Sequence, residues 1–159
     1  MTEENYRIAS LAFNEERSTI VFTIQVLQEG AQKSSVKVFS YDINSMEFKF
    51  IDQVKNIAGK ENVAIESLII DPTGSYAALK LFSEDEGFKT SVFVYDLKNN
   101  KKVDIGSLLK DVDISTIHSK FWDRNHLVLE LVSKEQTMSY LYNPENGKLK
   151  TFTTAAQPS

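Results

Sequence analysis

Two short patterns recur three times, in the same order, along this chain, and that recurrence constrains the fold more than any other feature. "KVFSYDINSMEFKFI" at 37–51 matches "SVFVYDLKNNKKVDI" at 91–105 and, more weakly, "TMSYLYNPENGKLKTF" at 137–152. Tyr41, Tyr95 and Tyr142 set the spacings at 54 and 47 residues. Upstream of each lies a second matched run: "SLAFNEERSTIVFTI", "SLIIDPTGSYAALKL" and "SKFWDRNHLVLEL". These open on Ser10, Ser67 and Ser119, which are 57 and 52 apart. Two anchors that keep order and period describe a repeated structural unit.

Each unit reads as four short strands, placed in the second unit at 66–70, 75–82, 91–97 and 101–105. Val, Ile, Leu, Phe and Tyr dominate them, and Pro72-Thr73-Gly74, Glu84 to Gly87 and Asn99-Asn100 separate them. Pro72 presets φ for a turn, and Gly74 supplies a conformation other residues resist. In the second strand, Tyr76, Ala78 and Phe82 lie on one face, interrupted by Lys80; Ala77, Leu79 and Leu81 lie on the other. A sheet with one wet face alternates more cleanly, so these strands belong between two layers. Only the linkers 52–65 and 106–116 suit a helical turn.

"IIDPTGSYAAL" followed by "VFVYDLKNN" resembles the repeat of TolB-type and WD-like β-propellers. There, a Pro-Asp-Gly-like turn joins strands one and two, and a Tyr-Asp-Leu-like third strand precedes a polar hairpin. The likeness covers about residues 8–152. It departs at the first unit's turn, Asn14-Glu15-Glu16-Arg17, and at the third's, Asp123-Arg124-Asn125. Three blades also fall short of the four to eight that usually close a ring. The expected fold is all-β: three four-stranded antiparallel blade-like meanders at about 8–51, 66–105 and 117–152, forming a partial, open propeller. They make one domain over 1–152, with 153–159 as a flexible tail.

Composition narrows the function. A formal charge of −4 and a pI of about 5.3 give no electrostatic basis for nucleic acid, whose phosphates need clustered Lys and Arg. Without cysteine, the chain has no disulfide, no thiolate catalysis and no Cys-type zinc site. "MTEENYRIAS" has neither the basic start nor the apolar core of a signal peptide. No apolar run approaches the roughly 20 residues that span a bilayer, so no membrane insertion is expected. The chain reads as soluble, and as extracytoplasmic if it is a trimmed ectodomain.

Chemical motifs are sparse. His118, placed before the third unit's first strand, and His126, after its turn, flank Asp123, a conceivable metal set. Strand-edge residues in polar surroundings are the plainer reading. "DVDIST" places Asp111, Asp113 and Ser115 like a calcium loop, but Thr116 and Trp122 stand where that loop needs Gly and Glu. Ser119 beside His118 is only a sequence neighbour, with no nucleophile elbow. No catalytic residue, cofactor or metal is therefore assigned, and the expectation is a non-enzyme. Trp122, Phe13 and Ile70 occupy matched positions and are assigned to blade-to-blade packing, as are the three repeat tyrosines.

Loops on a rigid scaffold concentrate binding residues. In "SEDEGFK" the candidate contacts are Glu84, Asp85, Glu86, Phe88 and Lys89. The expected function is a non-catalytic interaction or sensing module that binds a protein or extended polymer through its rim loops. The alternatives are a fragment of a larger propeller enzyme or transport-associated protein, and a propeller that binds a small ligand or sugar. Self-association also follows from the strand faces. Phe22, Ile24 and Val26, then Leu79 and Leu81, then Leu129 and Leu131 form an apolar set. Thr19, Thr23 and Gln25, then Tyr76, Lys80 and Phe82, then His126, Glu130 and Val132 form a mixed one. The apolar face of one blade should meet the mixed face of the next. An open stack then leaves one apolar face bare, on the first or the third unit, for a second copy, a partner or missing blades of the same protein to cover.

Overall fold

The computed structural model describes residues 4–28, 33–57, 59–83, 89–108, 116–122, 126–132 and 137–152. Its elements in chain order are β1 (Glu4–Phe13), β2 (Thr19–Gln28), β3 (Lys33–Asp42), β4 (Glu47–Val54), β5 (Val63–Ile70), β6 (Tyr76–Ser83), β7 (Lys89–Asp96) and β8 (Lys101–Asp104). α1 (Ile105–Leu108), β9 (Thr116–Trp122), β10 (His126–Val132), β11 (Thr137–Asn143) and β12 (Lys148–Phe152) follow. Each run of four consecutive strands forms its own antiparallel meander, so the three sheets follow the three sequence units. Among the described residues the one helical turn begins at Ile105, expected to end the fourth strand, and runs into the linker at 106–116 that was expected to allow it. His118 is a correction: it lies inside β9, opposite Glu130, rather than before the strand.

The turn between the first and second strands shows why the motif works. The Asp71 carboxylate accepts the N–H groups of Ser75 and Tyr76, both at 2.8 Å. Gly74 donates to the Asp71 carbonyl at 3.0 Å and holds φ at 78°, where a Cβ is strained. The first sheet builds the same turn from different residues. Asn14 Oδ1 accepts from Ser18 at 2.8 Å and Thr19 at 2.9 Å, and Arg17, with φ 55°, takes the position of Gly74. The two turns also touch, because a Cβ on Gly74 would come within 2.9 Å of Thr19 Oγ1.

A bulge recurs as well. β1 gains Ala9 before Ser10, and β5 gains Glu66 before Ser67. The extra residue rotates the strand, so Ile8 and Leu11 come to share a face although three apart in sequence. In the second sheet the added Glu66 ion-pairs with Lys80 at 3.2 Å. That contact explains how a lysine only 5% exposed is tolerated in the middle of β6.

Packing follows the two faces. Val21, Val36 and Val38 on the mixed face of the first sheet bury against Ala77, Leu79 and Leu81 on the apolar face of the second. On its other side, the second sheet buries Ala78, Val92 and Val94 against Leu127, Leu129 and Tyr142 of the third. Apolar meets mixed at both seams. The face left over is therefore the apolar face of the first sheet, together with the mixed face of the third.

Candidate interaction surface

The contact residues picked from the rim have a limited place in the structure. Glu84, Asp85, Glu86 and Phe88 lie outside the described residues, as do Asp123 and the segment 111–115. Lys89 opens β7, where its backbone pairs with Ser83. His126 opens β10. No group of three His, Asp or Glu residues that could hold a metal occurs among the described residues. Nor is any described helix long and apolar enough to cross a membrane.

The uncovered face of the first sheet is built by register. Phe22 lies opposite both Leu11 and Phe39, Phe39 opposite Phe50, and Ile20 opposite Phe13 and Tyr41. Opposed residues in antiparallel strands share a face. Phe22 stacks on Phe39 at 5.3 Å; Phe48 lies 5.3 Å and Phe50 5.4 Å from Phe39. Tyr6, Ile8, Leu11, Phe13, Phe48 and Phe50 on this face are each between 48% and 66% exposed. At roughly 200 Å² for a full aromatic side chain, they leave on the order of 600 Å² of hydrocarbon in water. That is the top of the range for the largest patch on a monomer. Phe13 and Tyr41 are thus not in blade-to-blade packing, because no described sheet lies on their side. The counterpart of Phe13, Ile70, packs into the core between the first two sheets, and the Trp122 side chain lies outside the described ones.

The opposite end offers the complement, and the third-to-fourth-strand hairpins explain it. Each begins with a carboxylate or amide that accepts backbone N–H groups: Asp42 from Asn44 and Ser45, Asp96 from Lys98 and Asn99, Asn143 from Glu145. Each ends on a residue with positive φ, Met46 at 59°, Asn100 at 55° and Gly147 at 73°. Burial pushes the Asp96 carboxyl up, but hydrogen bonds from the Asn99 side chain and from the Asn99 and Lys98 N–H groups, with Lys101 nearby, outweigh it. Its pKa lies below the ordinary value.

These hairpins seat on the sheet before them. In the first sheet, Ser40, Asp42, Glu47 and Lys49 line a 280 Å³ cleft against Leu97 and Lys98 of the second sheet's hairpin. Lys49 Nζ donates to the Leu97 carbonyl at 3.2 Å, and Leu97 is only 9% exposed. At equivalent positions of the second sheet, Tyr76, Val94, Asp96 and Lys101 meet Tyr142 and Pro144 of the third across a 570 Å³ cleft. Polar and aromatic groups converge there, yet the Tyr76 and Tyr142 rings are 8% and 1% exposed. Rings so taken up by packing cannot stack on a sugar. Burial raises both phenols above the ordinary tyrosine value.

In the third sheet the matching seat is His126, Leu141, Asn143, Lys148 and Lys150, around a hollow of 170 Å³. No described residue of another sheet lines it. A second anchor joins the first two sheets. Tyr95 donates to Asp52 Oδ2 at 2.8 Å, and Lys102 Nζ reaches the same oxygen at 2.9 Å while lying 4.3 Å from the Phe93 ring. Burial, then the Asp52 charge, raise the Tyr95 phenol far above its ordinary value.

No family model matches the chain, and no curated protein does. Among solved structures, the chain is similar to the β-propeller domain of the Trilobed protease from Pyrococcus furiosus, at 13% identity and TM-score 0.60 over 92% of this chain and 42% of that one. An oligogalacturonate lyase in complex with manganese matches at 14% identity and TM-score 0.61, over 91% of this chain and 40% of that one. An acylaminoacyl peptidase from Pyrococcus horikoshii matches at 11% identity and TM-score 0.57, over 93% and 25%. At such identities the likeness is one of fold, and that fold is an open β-propeller arrangement of sheets. The chain spans less than half the length of each of the three.

Proposed function

We propose that this chain is a non-catalytic interaction module, a run of propeller blades whose principal contact surface is the outer face of the first blade. The observation that carries the reading is the aromatic face of Tyr6, Phe13, Phe48 and Phe50, half-exposed and continuous across four strands. Sheet faces of this composition elsewhere in the chain are covered by another sheet. The natural ligand of the face is therefore protein, and specifically a β-sheet with a mixed surface. The rim segment bearing Glu84, Asp85, Glu86, Phe88 and Lys89 belongs to the same proposal as a second contact region.

A photo-crosslinking residue tests the reading. Placed at Phe48, it should trap a protein, while the same residue at Lys98 on the hairpin tip should trap little. Equal trapping at both positions, or none at Phe48, would overturn it.

A second reading treats the chain as part of a longer propeller whose other blades cover this face. It is supported by the 42% and 40% of the matched chains that this one spans. In that case the crosslink from position 48 forms within one longer polypeptide.

A further inference from the structure

We infer that the partner for the bare face is a second copy of this chain, joined head to tail so that two open stacks close one ring. The inference rests on reading the first blade's outer face as a contact surface and says what occupies it. Inside the chain the same seam is made twice, apolar face on mixed face, with a hairpin seated on the preceding sheet. Among the described residues of one copy, the two halves of a third such seam are left uncovered: an apolar face on the first sheet and a seat on the third.

The fit can be read residue by residue from the repeat. Tyr41 and Ile43 stand where Tyr95 and Leu97 stand in the second unit. Leu97 is seated and 9% exposed, whereas Ile43 is 42% exposed. The seat for Ile43 is the 170 Å³ hollow at Leu141, Asn143, Lys148 and Lys150 on the other copy. A cavity of about 150 Å³ takes a benzene ring, so the hollow has room for one such side chain. Lys150 holds the position of Lys49, whose Nζ donates to the Leu97 carbonyl. In the dimer, Lys150 Nζ donates to the Ile43 carbonyl of the second copy. Lys148 and Lys150, both exposed, also bring cations to a face rich in phenylalanine, as Lys102 lies over Phe93 within the chain.

Two copies carry six sheets, within the four to eight with which propellers close. Both seams form at once about a two-fold axis, so growth stops at the dimer; a rotation that failed to close would give filaments.

Sedimentation equilibrium of the full chain at micromolar concentration tests this. The wild type should sediment as a dimer. Ile43→Asp and Leu141→Asp should each weaken the dimer at least about thirtyfold, the effect of losing a central contact. Neither residue is in a core cluster, and unchanged circular dichroism confirms that the variants fold. Mixed in equal amounts, the two variants should recover dimer, because one of the two seams then carries neither change. Lys150→Met, should either aspartate variant unfold, is expected to weaken the dimer about a hundredfold, the loss of one charge-assisted hydrogen bond at each of the two seams.

A dimer lost on Ile43→Asp but kept on Leu141→Asp would overturn the ring while leaving the first-blade face as the contact. A wild type that stays monomeric, or that grows into open-ended polymers, would overturn it as well.

Discussion

The strands β6 and β2 occupy the same place in their repeats and live in different surroundings. β6 is buried on both faces, with Ala77, Leu79 and Leu81 against the first sheet and Ala78 against the third. β2 is fully buried on one: Val21 and Thr23 are 0% exposed, while Phe22 and Ile24 on the other side are only half-buried. Both have the same apolar pattern, so the pattern does not follow the water. It follows the seam that each sheet is built to make. In β6 the seam is made within the chain, and in β2 no described sheet makes it.

Core truncation should separate the two strands most. Leu81→Ala removes a side chain that is 0% exposed, and should cost about 2–5 kcal/mol in urea melts. Ile24→Ala, at the matching position, should cost roughly half as much in dilute solution, where its face is wet. Its cost should rise with protein concentration as the face is covered. Equal costs at every concentration would break the comparison.

The tyrosines come next. Tyr95→Phe removes the donor to Asp52, a hydrogen bond to a charged group worth about 1.5–3 kcal/mol. Tyr41→Phe, on the uncovered face, should move dilute-solution stability by less than about 0.5 kcal/mol. The phenol of Tyr95 is raised, so its contribution is complete below the ordinary tyrosine value and fades as pH climbs above it. Alkaline titration of Tyr95→Phe should lack that part of the loss.

Turn glycines give a smaller contrast. Gly74→Ala meets both a positive φ and Thr19 across the seam, and should cost about 2 kcal/mol. Gly147→Ala meets positive φ with open space around it, and should cost about 1 kcal/mol by thermal melting. Smallest is Asp96, whose pKa is lowered in the fold. Its contribution is complete above the ordinary carboxylate value and fades as pH falls through the lower folded one. Asp96→Asn keeps the acceptor, as Asn143 does in the third sheet, and should flatten the acid limb slightly without loss of the hairpin.

Much of the fold could be read from the repeat. The anchors Ser10 and Ser67 mark equivalent bulges, and the Tyr41, Tyr95 and Tyr142 spacing aligns the hairpins so well that Met46, Asn100 and Gly147 share one conformation. The first sheet's turn escaped because Asn14 and Arg17 reach the geometry of Asp71 and Gly74 without its Pro and Gly. His118 escaped because a histidine beside a serine carries no strand signal until its pairing with Glu130 is seen. Alternation along β2 showed that one apolar face would be bare, but not which. Stacking direction is a property of the sheets together, and only the burial of Leu79 against Val21 and Val38 reveals it. The seat at Leu141 and Lys150 was missed for the same reason. Its signal was Lys49, aligned with Lys150 by the tyrosine spacing.

Hydroxyl-radical footprinting of the first sheet tests most directly whether its outer face is an interface. Met46, 75% exposed at the hairpin tip, is the internal standard; Phe48 and Phe50, 62% and 54% exposed in the single chain, are the reporters. At micromolar concentration Phe48 and Phe50 should be protected, relative to their intrinsic reactivity, while Met46 stays reactive. The protection should fade on dilution. Phenylalanines that react as freely as their single-chain exposure allows, at every concentration, would contradict the interface.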